Sequence, residues 1–439
     1  MSNTEDVKKL WSTQKLPDGT LSIKKYKGTD TDVIIPESIG GKIVSTIGQE
    51  AFAIDRPRSA YHKVLSRIKS IIIPNSVTTI EGAAFRDCSA LESIVIPDSV
   101  TMIGSWAFGD CTSLENITIP NSVVSMGTDV FENCKALKGI KNGSAYYLGN
   151  PDNPYLYLKK AYGPSVTTCE IPCGTKIIAA KAFYKCKKLS SINIPEGVIS
   201  IGSAAFEYCE SLESIALPSS LRTIDDCTAF DEWNHNLKGV KYDNAEYLGN
   251  DSNPYLFLLR ASSPDITSCK IPTTTRFIAC RAFKGCASLI SIDIPDSVAD
   301  IGIAAFSGCK SLERVSISKS VTGIAAGAFS DCIALKNVSI PNSATVVGSH
   351  AFKRCSSLVH IEIPDAVHSV GMGAFEDCGS LESITIGKSV TKIEMSAFAN
   401  CTALANMIIS EKSIDIAYNA FANCPKLSED IKQRQMKFK

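Results

Sequence analysis

Residues 88–108 read CSALESIVIPDSVTMIGSWAF, and their pattern describes one turn of a repeating structure. Ile94 and Ile96 stand two apart, so both point to the same side of a short strand. Pro97 has no N–H to give a ladder and ends the pairing there. Gly104 follows Ile103 and is expected to relieve a tight bend. Ala107 and Phe108 then open a brief helical or 3₁₀ turn that leads to the next Cys111 and Leu114.

The same figure recurs along the chain. Phenylalanines at 52, 85, 108, 131, 183, 206, 230, 283, 306, 329, 352, 375, 398 and 421 each follow Ala or Val. Most spacings are 23 residues, one is 24, and three longer ones mark insertions. A period of 20–29 residues with Leu at fixed offsets is the signature of a leucine-rich repeat. A single coil buries little by itself, whereas stacked coils bury Leu, Ile, Val and Phe against the copies above and below. The expected fold is a leucine-rich repeat solenoid of about 14 coils of 23 residues, right-handed and horseshoe-like or gently curved. Its strands should be short and mostly parallel, joined by brief helical or 3₁₀ turns.

The succession Ile-Pro, Ser-Val, Ile-Gly, Ala-Phe, Cys and Leu, over about residues 21–427, resembles the BspA-like leucine-rich repeats of bacteria and some anaerobic protists. The resemblance implies an interaction module, often on a cell surface, that engages host or partner proteins.

Seventeen cysteines suggest disulfides until their places are read. Twelve stand three residues after a repeat phenylalanine, from Cys88 to Cys424, and Trp233 occupies that slot in the copy at Phe230. A slot that takes Trp is a packing position, and free Cys behaves as a small buried hydrophobe. Buried free thiols are therefore expected.

The three regions expected are a cap over 1–45, the solenoid over 46–427 and a basic tail over 428–439. Insertions fall near 53–62, 141–170 and 241–270. The two larger ones are related: YLGN at 147–150 with NPYL at 153–156 returns as YLGN at 247–250 with NPYL at 253–256. Apolar runs flank an Asn/Asp/Pro-rich centre, which marks a turn between two strands. Each is read as a β-hairpin projecting from its coil. Tyr155 and Tyr255 are candidate contacts, because Tyr is enriched in interface hot spots; packing on the solenoid flank is the competing reading.

Lys+Arg and Asp+Glu both total 45, a formal net charge of zero. A neutral chain lacks the basic footprint that phosphate backbones demand, so nucleic acid is not expected as a partner. No apolar run reaches the roughly 18 residues of a membrane span, and no membrane insertion is expected. No leader is visible in MSNTEDVKKLW, so the expected location is cytoplasmic; a trimmed leader would make it secreted or surface-bound.

The five histidines, at 62, 235, 350, 360 and 368, form no nucleophile-and-base pattern with a recurring Ser, Cys or acid. Cys169 and Cys173 lack a second pair for zinc, and no phosphate-binding glycine loop appears. No catalytic, cofactor or metal site is expected, and the chain reads as a non-enzymatic, monomeric scaffold for a protein partner. A surface adhesin for matrix protein or glycan is the alternative, and a hydrolase at the hairpins the remote one. The residues alternating with the buried Ile pair should line the binding face. They are mostly Ser, Asn and Thr, and charge gathers among them only around Asp293, Arg314, His360 and Glu362.

Overall fold

A computed structural model describes residues 9–53, 66–230, 234, 236–409, 414–428 and 431. The short insertion near 53–62, Trp233 and nearly all of the basic tail lie outside these residues. The chain divides into two compact units, Met1–Glu213 with Ser220–Asn236, and Ser214–Ser219 with Leu237–Lys439. Both are β-solenoids with almost no helix.

In the first unit, the strand carrying Ile94 stacks as the sequence demands. Asp32–Ile34, Ser70–Ile72, Ser93–Val95 and Asn116–Thr118 run parallel with their equivalent residues in register. We call this row the face. Ile71 and Ile94 point inward and are buried. A second row of two-residue strands, Thr79–Ile80, Met102–Ile103 and Ser125–Met126, also pairs in parallel. It gives each coil a second rung one short loop after the proline. No alternation over two residues could announce it beforehand.

The second unit repeats both rows. Its face holds Ser291–Asp293 beside Arg314–Ser316, then His360–Ile363, Ser383–Ile386 and Asn406–Ile409. Its second row includes Val346–Val347, Ser369–Val370, Lys392–Ile393 and Asp415–Ile416.

Between the rows runs the phenylalanine spine. Phe52, Phe85, Phe108 and Phe131 stack with ring centroids 5.1, 5.2 and 5.7 Å apart. From Phe283 to Phe421 the second unit stacks seven rings at 5.0–5.4 Å. The spacing follows from the rise between hydrogen-bonded strands, about 4.8 Å, because each ring is tied to one rung. At the amino-terminal end Tyr26 stacks on Phe52 at 5.6 Å and Trp11 tilts against Tyr26 at 4.8 Å, closing the spine. Both belong to an antiparallel pair, Trp11–Lys15 with Leu21–Tyr26.

Three features differ from expectation. Around the Ala-Phe pair the chain makes successive tight turns, and Asp225–Phe230 is the one 3₁₀ helix among the described residues. Left-handed residues on both sides of most pairs, such as Trp106 (φ 59°) and Asp110 (φ 61°), keep a helix from forming. The position two after Phe is left-handed wherever it is described, which explains its bias to Asp, Asn and Gly at Asp87, Asn133, Gly308, Asp377 and Asn400. Second, Gly104 and Gly302 do not adopt positive φ. A Cβ there would lie 2.4 Å from the backbone nitrogen of Gly82 or Cys280 in the preceding coil. Close approach of coils, rather than a bend, is what requires glycine.

Third, the hairpins are drawn into the stack. Ala145–Leu148 pairs antiparallel with Tyr157–Ala161, as expected, and also with Ile140–Asn142 before it. Tyr157–Ala161 then runs parallel to Ile177–Ile178 as the next rung of the second row. Tyr157 meets Phe131 edge-on at 5.6 Å and continues the spine. The second copy is built alike, from Val240–Tyr242, Ala245–Leu248 and Phe257–Ala261. The tips are exposed, at Pro151–Asp152 and Asp251–Ser252.

Candidate binding surface

The cysteine column sets the rigidity of the surface above it. In most copies the thiol reaches the carbonyl of the phenylalanine one coil earlier: Cys111 Sγ donates to Phe85 O at 3.2 Å and Cys209 to Phe183 O at 3.2 Å. In the second unit Cys309, Cys332, Cys355, Cys378 and Cys401 do the same, each at 3.2 Å. Cys186 and Cys286, which follow the hairpins, donate instead to Gly163 O and Ser263 O. No disulfide joins the sixteen cysteines whose side chains are described. Burial pushes the thiols of Cys88, Cys332 and Cys378 up to about 12, so they remain protonated at neutral pH. In the copy at Phe230 the slot is shifted by the extra residue. Asn234 donates its Nδ2 to Phe206 O at 3.2 Å. The hint was in the sequence, since Asn234 lies one hundred residues beyond Cys134, the same offset as the two hairpins.

On this base, the residues alternating with the buried Ile column face outward. Asp293, Arg314, His360 and Glu362 are all exposed. Ser291 pairs in register with Arg314, and Asp293 with Ser316. Arg314 is bridged to Asn337. His360 lies opposite Ser383, and its Nδ1 sits 2.6 Å from Ser383 Oγ. Glu362 lies opposite Thr385. At about 4.8 Å per rung, Arg314 and His360 are on the order of 10 Å apart, with Asn337 between. The four charges thus occupy one unit's face without touching one another.

Tyr155 and Tyr255 are placed otherwise. Both are half-buried, Tyr155 against Tyr147 at 5.5 Å and Tyr255 against Tyr247 at 5.6 Å and Tyr242 at 5.1 Å. They brace the hairpins from beneath.

Sequence reasoning missed one feature of the first unit. Ile34, Ile72 and Val95 occupy consecutive rungs and point outward, 70%, 58% and 66% exposed. A groove of about 860 Å³ runs over Ile72, Val95 and Thr118, edged by Asn75, Asp98 and Asn121 and stopped by the hairpin tip at Asn150–Asp152. The signal was available in the column Ile34, Ile72, Val95, where most other coils carry polar residues.

Among the described residues, no group of three or more His, Cys, Asp or Glu could hold a metal ion. No described helix is long and apolar enough to cross a membrane.

A family model for the BspA type leucine rich repeat region matches residues 57–147, 161–252, 259–370 and 322–437. The chain belongs to this BspA-type family. Solved structures similar to it include a leucine rich cell surface protein from Faecalibacterium prausnitzii, 27% identical, covering 92% of this chain and 94% of that one with a TM-score of 0.30. A leucine-rich repeat protein from Bacteroides ovatus is 25% identical over 90% of this chain and 92% of its own, with a TM-score of 0.30. The pneumococcal vaccine antigen PcpA is 18% identical over 97% and 93%, also with a TM-score of 0.30. No curated protein matches the chain. As a BspA-type protein, the chain is a repeat scaffold.

Proposed function

We propose that this BspA-type chain is a non-catalytic scaffold that binds a protein partner across several rungs of the second unit's face. The observation that carries this reading is the set Asp293, Arg314, His360 and Glu362, exposed on a row whose inward residues are locked in the core. Charged groups held on a stiff support steer a partner and set its register at little ordering cost. Tyr255, half-buried on the second unit's hairpin, would be a secondary contact there, and Tyr155 its counterpart on the first unit. The chain would act as a monomer, without cofactor or metal.

For location, the free thiols favour a reducing compartment and hence the cytoplasm. The alternative is secretion or display at the cell surface as an adhesin, and the similar Faecalibacterium protein is a cell surface protein. Cys173 is exposed and can separate the two, since an impermeant thiol reagent applied to intact source cells labels it only when the chain is displayed.

The binding reading is tested by capture from source extract with the full chain, the face variant Arg314→Glu/His360→Glu/Glu362→Lys and the core variant Cys332→Val/Cys355→Val/Cys378→Val. A partner held by the wild type and the core variant, and weakened at least tenfold by the face variant, is the expected outcome. Equal capture by all three, or none by the wild type, would overturn it.

A further inference from the structure

We propose that the groove on the first unit's face is a docking site for a protein segment that carries apolar side chains between basic residues. The inference rests on the scaffold reading and adds a second site, distant in sequence from the charged positions of the second unit.

The floor is the first reason. Ile72 and Val95 line the groove and Ile34 extends the apolar row one rung further. None of the three contributes to the core, because they alternate with the buried Val33, Ile71 and Ile94. Equivalent positions elsewhere hold Asn193, Ala216, Asp293, Ser316, Ser339, Glu362, Thr385 and a single large aliphatic, Ile408. Three large aliphatics on consecutive rungs are an apolar patch that packing does not explain.

The wall is the second. The tip is fixed to the end of the rung Asn116–Thr118 on both sides: Ile119 N donates to Gly149 O at 3.0 Å, and Asn150 Nδ2 donates to Ile119 O at 2.8 Å. Asn150 Oδ1 also accepts from the amides of Asp152 at 3.1 Å and Asn153 at 2.8 Å. Asn153 Nδ2 anchors the far side on Gly174 O at 2.8 Å. The groove therefore ends at a rigid stop. It remains open along its length, whereas a small molecule needs most of its surface enclosed. An extended segment of protein fits that shape.

Charge selects the segment. Asp98 and Asp152 line the groove, and no described Lys or Arg does. Neither carboxylate is engaged by another side chain among the described residues. Glu92 and Glu115 stand exposed just before two of the face strands, against Lys69 and Lys176 at the margins. An apolar floor with an acidic rim is complementary to an apolar segment flanked by Lys or Arg.

The test selects twelve-residue peptides from a displayed random library on the full chain, then measures the affinities of the enriched peptides. Two or more apolar residues with basic flanks are expected in the enriched set. Val95→Lys and, separately, Asp98→Lys/Asp152→Lys should each weaken them at least tenfold, while the second-unit face variant leaves them unchanged. All three substituted side chains are exposed, so thermal midpoints should match the wild type and report any misfolding. An empty selection, acidic flanks, or affinities unmoved by both first-unit variants would overturn the groove. Peptides lost only in the second-unit variant would also overturn it while leaving the scaffold reading intact. Groove binding together with no partner captured from source extract would leave the groove standing and remove that reading.

Discussion

At the scale of single residues, the cysteine column does more than fill space. From Cys309 to Cys401 each thiol is a buried donor to a carbonyl that would otherwise face an apolar interior, and an unmet carbonyl there costs about 1–3 kcal/mol. Asn234 shows the selection plainly, because an amide takes the place of a thiol and keeps the bond to Phe206. The thiols also make stability depend on pH in a definite direction. An unfolded Cys ionises near 9, whereas burial holds Cys378 up to about 12. The folded state binds the extra proton in that interval, so the stabilisation is complete below pH 9 and is lost as pH rises toward 12. The slope is about 1.4 kcal/mol per pH unit for each such thiol. Urea midpoints measured at pH 7, 9 and 10.5 should therefore fall less steeply for Cys378→Val than for the wild type. Parallel curves would contradict the account of this thiol.

At the scale of elements, most of the hairpin was legible and part was not. The Asn/Asp/Pro centre marked the turn, and the flanking Tyr and Leu marked the strands. What the pattern could not carry was the partner of Tyr157–Ala161, since a strand that joins a parallel ladder reads the same as one that stands free. The face strands were legible from Ile94 and Ile96, because alternation over three residues has one physical reading. The second row, of which Met102–Ile103 is one rung, was not, because two residues have no period. Gly104 was noticed for the wrong reason: the contact that excludes a side chain lies 22 residues away at Gly82. The tip is the most exposed device in the element, and Asn150 makes three of its bonds. Asn150→Ala should release it, raising amide exchange at Asp152 and Asn153 at least tenfold while leaving Tyr157–Ala161 protected. Unchanged exchange at the tip would show that Gly149 and Pro154 hold it without the side chain.

At the scale of the whole molecule, each unit is a line of neighbours rather than a body with a centre. The Phe, Cys, Leu and Ile columns each repeat at one-coil intervals, so every coil touches the coils beside it and little else. Stability in such an arrangement is close to a sum of coil and interface contributions. The candidate binding positions follow from the same geometry: what the core fixes on the inside is free to vary on the outside, at Val95, Arg314 or His360. That freedom is also why the face was harder to interpret from sequence than the core, since a column of Ser, Asn and Thr obeys no rule but exposure.

The claim that coils find their core in one another is tested most directly by removing one. Deleting residues 356–378, from the residue after Cys355 through Cys378, excises one period and rejoins Cys355 to Gly379 in register. Urea unfolding followed by circular dichroism should show a protein that still folds with strand-rich structure and a cooperative transition, at a modestly lower midpoint. A deletion protein with no folded baseline would mean that the interior is shared across the unit as in a globular domain, and the account of the stack would fail.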